Sequence, residues 1–283
     1  LIREDFLELY SYAKAKGFII TLFTNGQALT DKLVDYLVKA PPFSIEITLN
    51  GITQKTYESI TQIPGSFQKV MKTINALKQK KLPFALKANC LRQNMHEISS
   101  IKAFAEEPFA YSPWKKFHFR YDPMINLRHN GDKTLRNCRL SFKEIEELRK
   151  QDPEWKEYEK RPKCRLPRLR RKKAFLYHCT DYKQIFFIDA YGYLKFCDFF
   201  DKLHKLSVNL KTTSFREGFY RIIPGFLKEK FKTDSKCKDC KLRPICYNCP
   251  GRAYSETGSE EAPVSYFCEQ AKAAYRQMQE SRK

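Results

Sequence analysis

The first 150 residues alternate between short apolar runs typical of strands and longer stretches whose apolar residues recur at helical spacing. The predicted strands cover 18–23, 43–49, 84–90 and 117–121. The predicted helical faces cover 6–13, 33–37, 67–77, 95–104 and 141–148. Strands that alternate with helices in this order indicate parallel βα units, so this half is expected to be part of a wound parallel sheet or a partial barrel.

Polar residues at the ends of these stretches predict where helices begin. Ser66 is a candidate N-cap for the helix that follows it, and Ser141 with Glu144 has the spacing of a capping box. Ser214 with Glu217 repeats that spacing later in the chain. No GxGxxG or GxxxxGK[ST] occurs, which excludes the usual dinucleotide fingerprint and the P-loop.

The alternating pattern is lost between 151 and 173, and 161–173 holds eight basic residues. Beyond it, a short hairpin is predicted at 184–196, with its turn at Tyr191 and Gly192. We therefore predict two domains, residues 1–154 and residues 155–283, with the basic stretch as a linker or arm.

The chain of 283 residues carries 53 Lys and Arg against 32 Asp and Glu, a formal net charge of +21. Such an excess is compatible with nucleic acid, an anionic membrane surface or an acidic peptide as partner. No apolar run approaches the roughly 20 residues of a spanning helix, and no signal-peptide pattern is present. The sequence thus predicts a cytoplasmic protein without a membrane partner.

Cysteines suggest the chemistry, because seven of the ten lie between 179 and 268. Their order is Cys-x12-Gly-x4-Cys, then Cys-x2-Cys-x5-Cys-x2-Cys, then a last Cys. CxxC pairs without a secretion signal favour metal binding over disulfides. Four thiolates at short spacing could hold one zinc, whereas the wider set of seven favours iron-sulfur clusters.

This cysteine order resembles the SPASM domain of radical SAM enzymes, a domain that carries two auxiliary [4Fe-4S] clusters. The first half supports the same resemblance: Thr24-Asn25-Gly26 and Thr48-Leu49-Asn50-Gly51 are similar to the ends of the third and fourth barrel strands of that family. The resemblance implies an α/β fold, a partial (β/α)6 barrel that lacks its first strands, followed by a small α+β iron-sulfur domain.

The resemblance also implies two interlaced sets of cluster ligands. The first set is Cys179, Cys197 and Cys249, and Cys164 either completes it or leaves an iron open to substrate or a small ligand. The second set is Cys237, Cys240, Cys246 and Cys268. The family usually places three residues between the last two cysteines of the central run, where this chain has only Tyr247 and Asn248.

Other roles follow from the resemblance alone. Asp198, directly after Cys197, corresponds to an aspartate that accepts the proton released on substrate oxidation in anaerobic sulfatase-maturating enzymes; its alternative role is to cap the following turn. Thr24, Asn25, Gly26 and Thr48 correspond to positions that contact S-adenosylmethionine, with the Thr48 hydroxyl in place of the family's serine.

The family's CxxxCxxC and Gly-Gly-Glu-Pro motifs are not found in this sequence. We therefore expect an N-terminally truncated form that is inactive alone, with S-adenosylmethionine and a third [4Fe-4S] cluster bound only by the intact enzyme. The expected activity is radical oxidation of a peptide or protein substrate, with flavodoxin or ferredoxin as reductant; nucleic acid is not an expected partner. The alternative from the charge and the CxxC pairs is a zinc-binding nucleic-acid interaction module.

Overall fold

The computed structural model describes residues 1–106, 118–128, 132–152, 175–177, 184–200 and 206–280. The chain divides into two compact units. The first comprises Leu1–Ile125 and Cys138–Asp152, and the second comprises Asn126–Asn137 and Pro153–Lys283. The second unit includes Asn126–Asn137, which lies in the sequence between the two parts of the first unit, so no single boundary separates the units. The division into residues 1–154 and 155–283 stays a prediction about domains.

A four-stranded parallel sheet forms the centre of the first unit, in the order β1-β2-β3-β4. Its strands are β1 (Thr21–Thr24), β2 (Ser44–Thr48), β3 (Phe84–Asn89) and β4 (Phe119–Asp122). Strand order follows chain order, as consecutive βα units require. The predicted α/β class with a parallel sheet is confirmed.

Strand β1 begins later than the predicted residue 18. The ladder between β1 and β2 starts where the Phe43 N–H donates to the Ile20 carbonyl, 2.8 Å away. Pro41 and Pro42, just before, have no N–H to donate, so residues 18 and 19 find no partner in β2. Phe18 and Ile19 are accordingly exposed.

Helices cover one face of this sheet and follow the predicted order. They are α1 (Phe6–Ala15), α2 (Asp31–Lys39), α3 (Gln54–Thr61), α4 (Ser66–Gln79), α5 (Ile98–Glu106) and α6 (Phe142–Gln151). The core between helices and sheet includes the fully buried side chains of Leu37, Ile45, Val70, Leu77 and Phe84. Burial of these side chains supplies the main driving force for folding of this unit.

The first residues of the helices show which of the predicted N-caps form. The capping box of Ser141 and Glu144 is present and confirmed. The prediction for Ser66 is wrong: Gly65 is the N-cap, at φ +77°, and Ser66 is the first helical residue, buried, with its hydroxyl 2.9 Å from that of Thr61. Glycine tolerates this left-handed backbone without strain, so the cap position shifts by one residue.

The second unit contains a small antiparallel sheet in the order β5-β6-β7. Its strands are β5 (Phe187–Ile188), β6 (Tyr193–Lys195) and β7 (Ser207–Asn209). The predicted hairpin turn is confirmed, with Gly192 at φ +86°. Strand β7, not foreseen in the sequence, packs against Gly218, where an added Cβ would lie 3.2 Å from the Val208 side chain.

Helical segments complete the second unit. They are α7 (Phe215–Glu217), a π-helical turn (Gly218–Ile222), α8 (Ile223–Phe226), α9 (Pro250–Thr257) and α10 (Ser265–Glu280). Ser214 caps α7 as predicted, because its hydroxyl accepts from the Glu217 N–H at 3.1 Å. The Glu217 side chain instead lies 3.4 Å from Arg221, so only half of the predicted capping box forms.

Candidate metal and cofactor sites

The predicted S-adenosylmethionine contacts lie at the carboxyl ends of neighbouring parallel strands. Thr24 ends β1, and Thr48 ends the adjacent β2. In the turn after β1, the Thr24 hydroxyl accepts from the Gly26 N–H at 3.0 Å, and the Asn25 side chain accepts from the Gln27 N–H at 3.1 Å. Thr48 is half-buried, and its hydroxyl makes no hydrogen bond to any described residue. Its hydroxyl is thus available to a ligand.

Gly26 shapes this edge of the sheet. Its backbone has φ +77°, and an added Cβ would lie 3.1 Å from Val70 of helix α4. The buried Thr73 hydroxyl donates to the Gly26 carbonyl at 2.7 Å. The turn after β1 is therefore fixed directly against α4.

Three asparagines join the ends of β2 and β3. Asn94 has no exposed surface; its amide nitrogen donates to the Asn50 carbonyl at 2.8 Å and the Asn89 carbonyl at 2.9 Å, and its oxygen accepts from the Leu91 N–H at 2.8 Å. Asn50 in turn accepts from the Asn89 N–H at 2.9 Å. No role was predicted for Asn94 from the sequence.

Glu97 fixes the loop that follows β2. Its buried carboxylate accepts from the backbone N–H groups of Ile52 and Thr53 at 2.7 and 3.3 Å, and from the hydroxyls of Thr53 and Thr56 at 2.6 Å each. Burial alone would raise the pKa of Glu97, but these hydrogen bonds to the ionised form lower it below its usual value. The carboxylate is thus a structural anion beneath the candidate cofactor edge.

The sheet face opposite the helices is polar. Lys87 on β3 lies with its ammonium 4.5 Å from the centre of the Phe23 ring, and Arg120 on β4 forms an ion pair of 2.6 Å with Glu46 on β2. Burial, followed by the charge of Arg120, lowers the pKa of Lys87. Glu46, Lys87 and Arg120 interrupt strands that are otherwise mostly apolar, and this interruption is the sequence signal for a polar face. The polar face was not predicted from the sequence.

The second predicted ligand set is brought together in the second unit. The Cys246 thiol interacts electrostatically with Cys240 and Cys237 of the same stretch and with Cys268 on the last helix. Burial first, and then repulsion from these thiols, raises the pKa of Cys246 to about 11. Burial and the charges of Cys237 and Cys240 likewise raise the pKa of Cys268.

The donor set fits a four-thiolate cluster in residue type. Thiolates are the usual ligands of such clusters, and a positively charged iron core between them would offset their mutual repulsion. Among the described residues, no group of three or more His, Cys, Asp or Glu side chains is arranged to hold a metal ion. None of the eight described cysteines forms a disulfide.

Two cysteines of the first predicted set flank a tight contact. Cys249 is the N-cap of α9, and Cys197 precedes the segment that α9 packs against. A Cβ at Gly251 would lie 2.6 Å from the Phe199 Cβ, so the two stretches approach as closely as glycine allows. The Arg252 guanidinium lies 4.8 Å from the centre of the Phe199 ring and adds a cation–π contact.

Further predicted residues divide between the described part and the rest. Asp198 is described and exposed. Cys164 and Cys179, together with the basic stretch 161–173, lie outside the described residues. Among the helices described, none combines the length and apolar character needed to cross a membrane.

Comparison with known proteins finds similarity to one superfamily in the first part of the chain. The sequence model of the Radical SAM superfamily matches residues 1–105. An AdoMet-dependent heme synthase from Methanosarcina barkeri is 22% identical over 288 residues, which cover 94% of this chain and 80% of that protein.

Solved structures agree at the level of fold. The structure of native anSMEcpe with bound AdoMet and Kp18Cys peptide superposes with a TM-score of 0.59 at 19% identity, covering 95% of this chain and 76% of that one. Streptococcus suis SuiB bound to precursor peptide SuiA gives a TM-score of 0.62 at 15% identity, covering 92% of this chain and 61% of that one. The sequence similarity to the Radical SAM superfamily thus lies in the first 105 residues, within the unit that contains the parallel sheet.

Proposed function

We propose that this chain is the cluster-binding portion of a radical SAM/SPASM oxidoreductase that modifies a peptide or protein substrate. One auxiliary [4Fe-4S] cluster is held by Cys237, Cys240, Cys246 and Cys268. The observation that carries the proposal is geometric: the Cys237 and Cys246 sulfurs each lie 3.4 Å from a nitrogen of Asn248, and the Cys246 sulfur lies 3.7 Å from the Phe267 carbonyl, next to Cys268.

The second auxiliary cluster is assigned to Cys179, Cys197 and Cys249. The close packing of Gly251 against Phe199 supports this pairing, since it sets the chain beside Cys249 against the chain beside Cys197. Cys164 is either the fourth ligand or absent from the set, which leaves one iron open.

Bound clusters supply one-electron transfer, and the protein supplies binding, orientation and proton handling. Thr48 offers an unengaged hydroxyl to S-adenosylmethionine beside the turn of Thr24, Asn25 and Gly26. Asp198, next to Cys197 and open to solvent, accepts the proton that leaves the substrate on oxidation.

Removal of one ligand tests the cluster assignment. Anaerobic reconstitution of Cys246→Ala should give about four iron fewer per chain than the unmodified protein, as loss of one cubane requires. The control is Cys138→Ala, a described half-buried cysteine outside both sets, which should keep all the iron. An unchanged iron content in Cys246→Ala contradicts the assignment, and bound zinc in place of iron would support the zinc-binding nucleic-acid module.

The sequence contains no CxxxCxxC, so the 283-residue chain is proposed not to cleave S-adenosylmethionine itself. Incubation with S-adenosylmethionine and dithionite should yield no 5'-deoxyadenosine; its formation would refute this part of the proposal. A cytoplasmic flavodoxin or ferredoxin is the proposed reductant of the intact enzyme.

A peptide substrate is supported by the two solved structures described above, each of which holds a peptide. The polar face with Lys87 and Arg120 offers positive charge to acidic groups of such a peptide. A second candidate, an iron porphyrin, is favoured by the likeness to a heme synthase over 94% of this chain.

Absorbance separates the two substrate classes. Titration with iron coproporphyrin should leave the Soret band of the free porphyrin unchanged if the substrate is a peptide. A saturable Soret shift at one porphyrin per chain would favour the second candidate instead. Fluorescence anisotropy with the Kp18Cys peptide supplies the matching positive test.

A further inference from the structure

Asn248 lies among the cysteines of the second ligand set. Its side-chain nitrogen donates to the Cys237 sulfur at 3.4 Å, and its backbone N–H donates to the Cys246 sulfur at the same distance. One residue thus contacts two of the four proposed ligands.

The orientation of the Asn248 amide is fixed independently of the cysteines. The side-chain nitrogen also donates to the Ala262 carbonyl at 3.1 Å, and a carbonyl can only accept, so the nitrogen and not the oxygen must face it. The second N–H of the same group is then the one that reaches Cys237.

The oxygen of the Asn248 amide differs from the nitrogen in its contacts. The Asn248 side-chain oxygen is buried and accepts no hydrogen bond from the described residues. A buried polar atom without a hydrogen-bond partner lowers the stability of the fold. Asparagine at position 248 is therefore unfavourable if packing is its only role.

We propose that Asn248 is a positioning residue that sets the reduction potential of the cluster held by Cys237, Cys240, Cys246 and Cys268. The inference rests on the proposed function, because it requires that cluster to be bound. Hydrogen bonds to the sulfurs are one of the means by which proteins tune cluster potentials. Reduction adds negative charge that spreads onto the sulfurs, so the two N–H donors stabilise the reduced form and raise the potential.

Two variants test this inference in the reconstituted chain: Asn248→Leu removes the side-chain donor, and Asn248→Asp replaces it with an acceptor of the same shape. Potentiometric titration followed by EPR should show one of the two cluster potentials lower than in the unmodified protein, and the other unchanged. Iron content is measured on the same samples.

The matched control is Gln93→Leu, which removes an amide–thiol contact of 3.4 Å to Cys138, a cysteine outside both ligand sets. It should leave both potentials unchanged. Unaltered potentials in Asn248 variants that keep their iron, an equal shift in the control, or loss of one cluster from both Asn248 variants would overturn the tuning role. Absence of iron from the unmodified protein would instead refute the proposed function.

Discussion

Asn94 shows how one side chain can connect two strand ends. It is fully buried and uses both ends of its amide to bond three backbone groups after β2 and β3. Removal of this amide takes a hydrogen bond from the buried Leu91 N–H and from two partly buried carbonyls. A buried group left without a partner costs about 1–3 kcal/mol.

We therefore expect Asn94→Ala to lower the free energy of unfolding by about 3 kcal/mol, since more than one backbone group loses its partner. Chemical denaturation measures the difference. Asn75→Ala, at an exposed position on α4, is the control and should change stability little. Equal stabilities of the two variants would contradict the role of Asn94.

Glu97 predicts a dependence of stability on pH. Its pKa is lower in the folded chain than in the unfolded chain, so the ionised carboxylate stabilises the fold above the unfolded value of about 4.3. That contribution is lost as the pH falls through the lower folded pKa. Glu97→Gln should therefore be less stable than the unmodified protein at neutral pH, with a difference that shrinks below about pH 4.3.

Urea unfolding at several pH values between 7 and 3 would measure this trend. Glu8→Gln, at an exposed position of α1, is the matched control and should show no such difference. A difference between Glu97→Gln and the unmodified protein that stays constant with pH would argue against an ionised Glu97 in the fold.

Residue types with strong local rules were predictable from the sequence, whereas buried polar partners were not. Ser141 and Glu144 follow a spacing rule that local chain geometry alone decides. Asn94 and Asn248 have partners 44 and 14 residues away in the chain, and their hydrogen bonds depend on tertiary packing that periodicity does not specify. Ser66 lost its predicted cap role because Gly65 is better suited to the backbone at that point.

At the scale of elements, helix α9 packs closely against the segment that follows Cys197. Gly251→Ala would place a methyl group 2.6 Å from the Phe199 Cβ, so one of the two stretches must move. Overpacking of this kind costs about 1–3 kcal/mol. We expect lower stability together with reduced iron in the reconstituted chain, because Cys249 moves away from Cys197.

Gly225→Ala in α8 is the matched control, since an added Cβ there meets nothing within 4 Å and the backbone φ is negative. Thermal unfolding and iron analysis of both variants give the comparison. Full iron content in Gly251→Ala would contradict the pairing of Cys197 with Cys249.

Element order was predictable further than element boundaries. The alternation of periods 2 and 3.6 gave β1 to β4 and their helices, because the core face of each element must be apolar. Helix α3 was not foreseen: Tyr57 and Thr56 are its buried residues, and these give little apolar periodicity. Strand β7 has three residues, too few for any period to show.

For the whole molecule, net charge describes the surface and the cysteines indicate the chemistry. The charge of +21 leaves several partner classes open, and the basic stretch 161–173 lies outside the described residues. The cysteine order, by contrast, predicts one four-thiol ligand set that includes both Cys237 and Cys268, although 30 residues separate them.

Metal analysis of the reconstituted 283-residue chain tests the central claim most directly. Two cubane clusters require about eight iron and eight acid-labile sulfide per chain, with little zinc. We expect this content of iron and sulfide. One tightly bound zinc per chain, with neither iron nor sulfide, would contradict it.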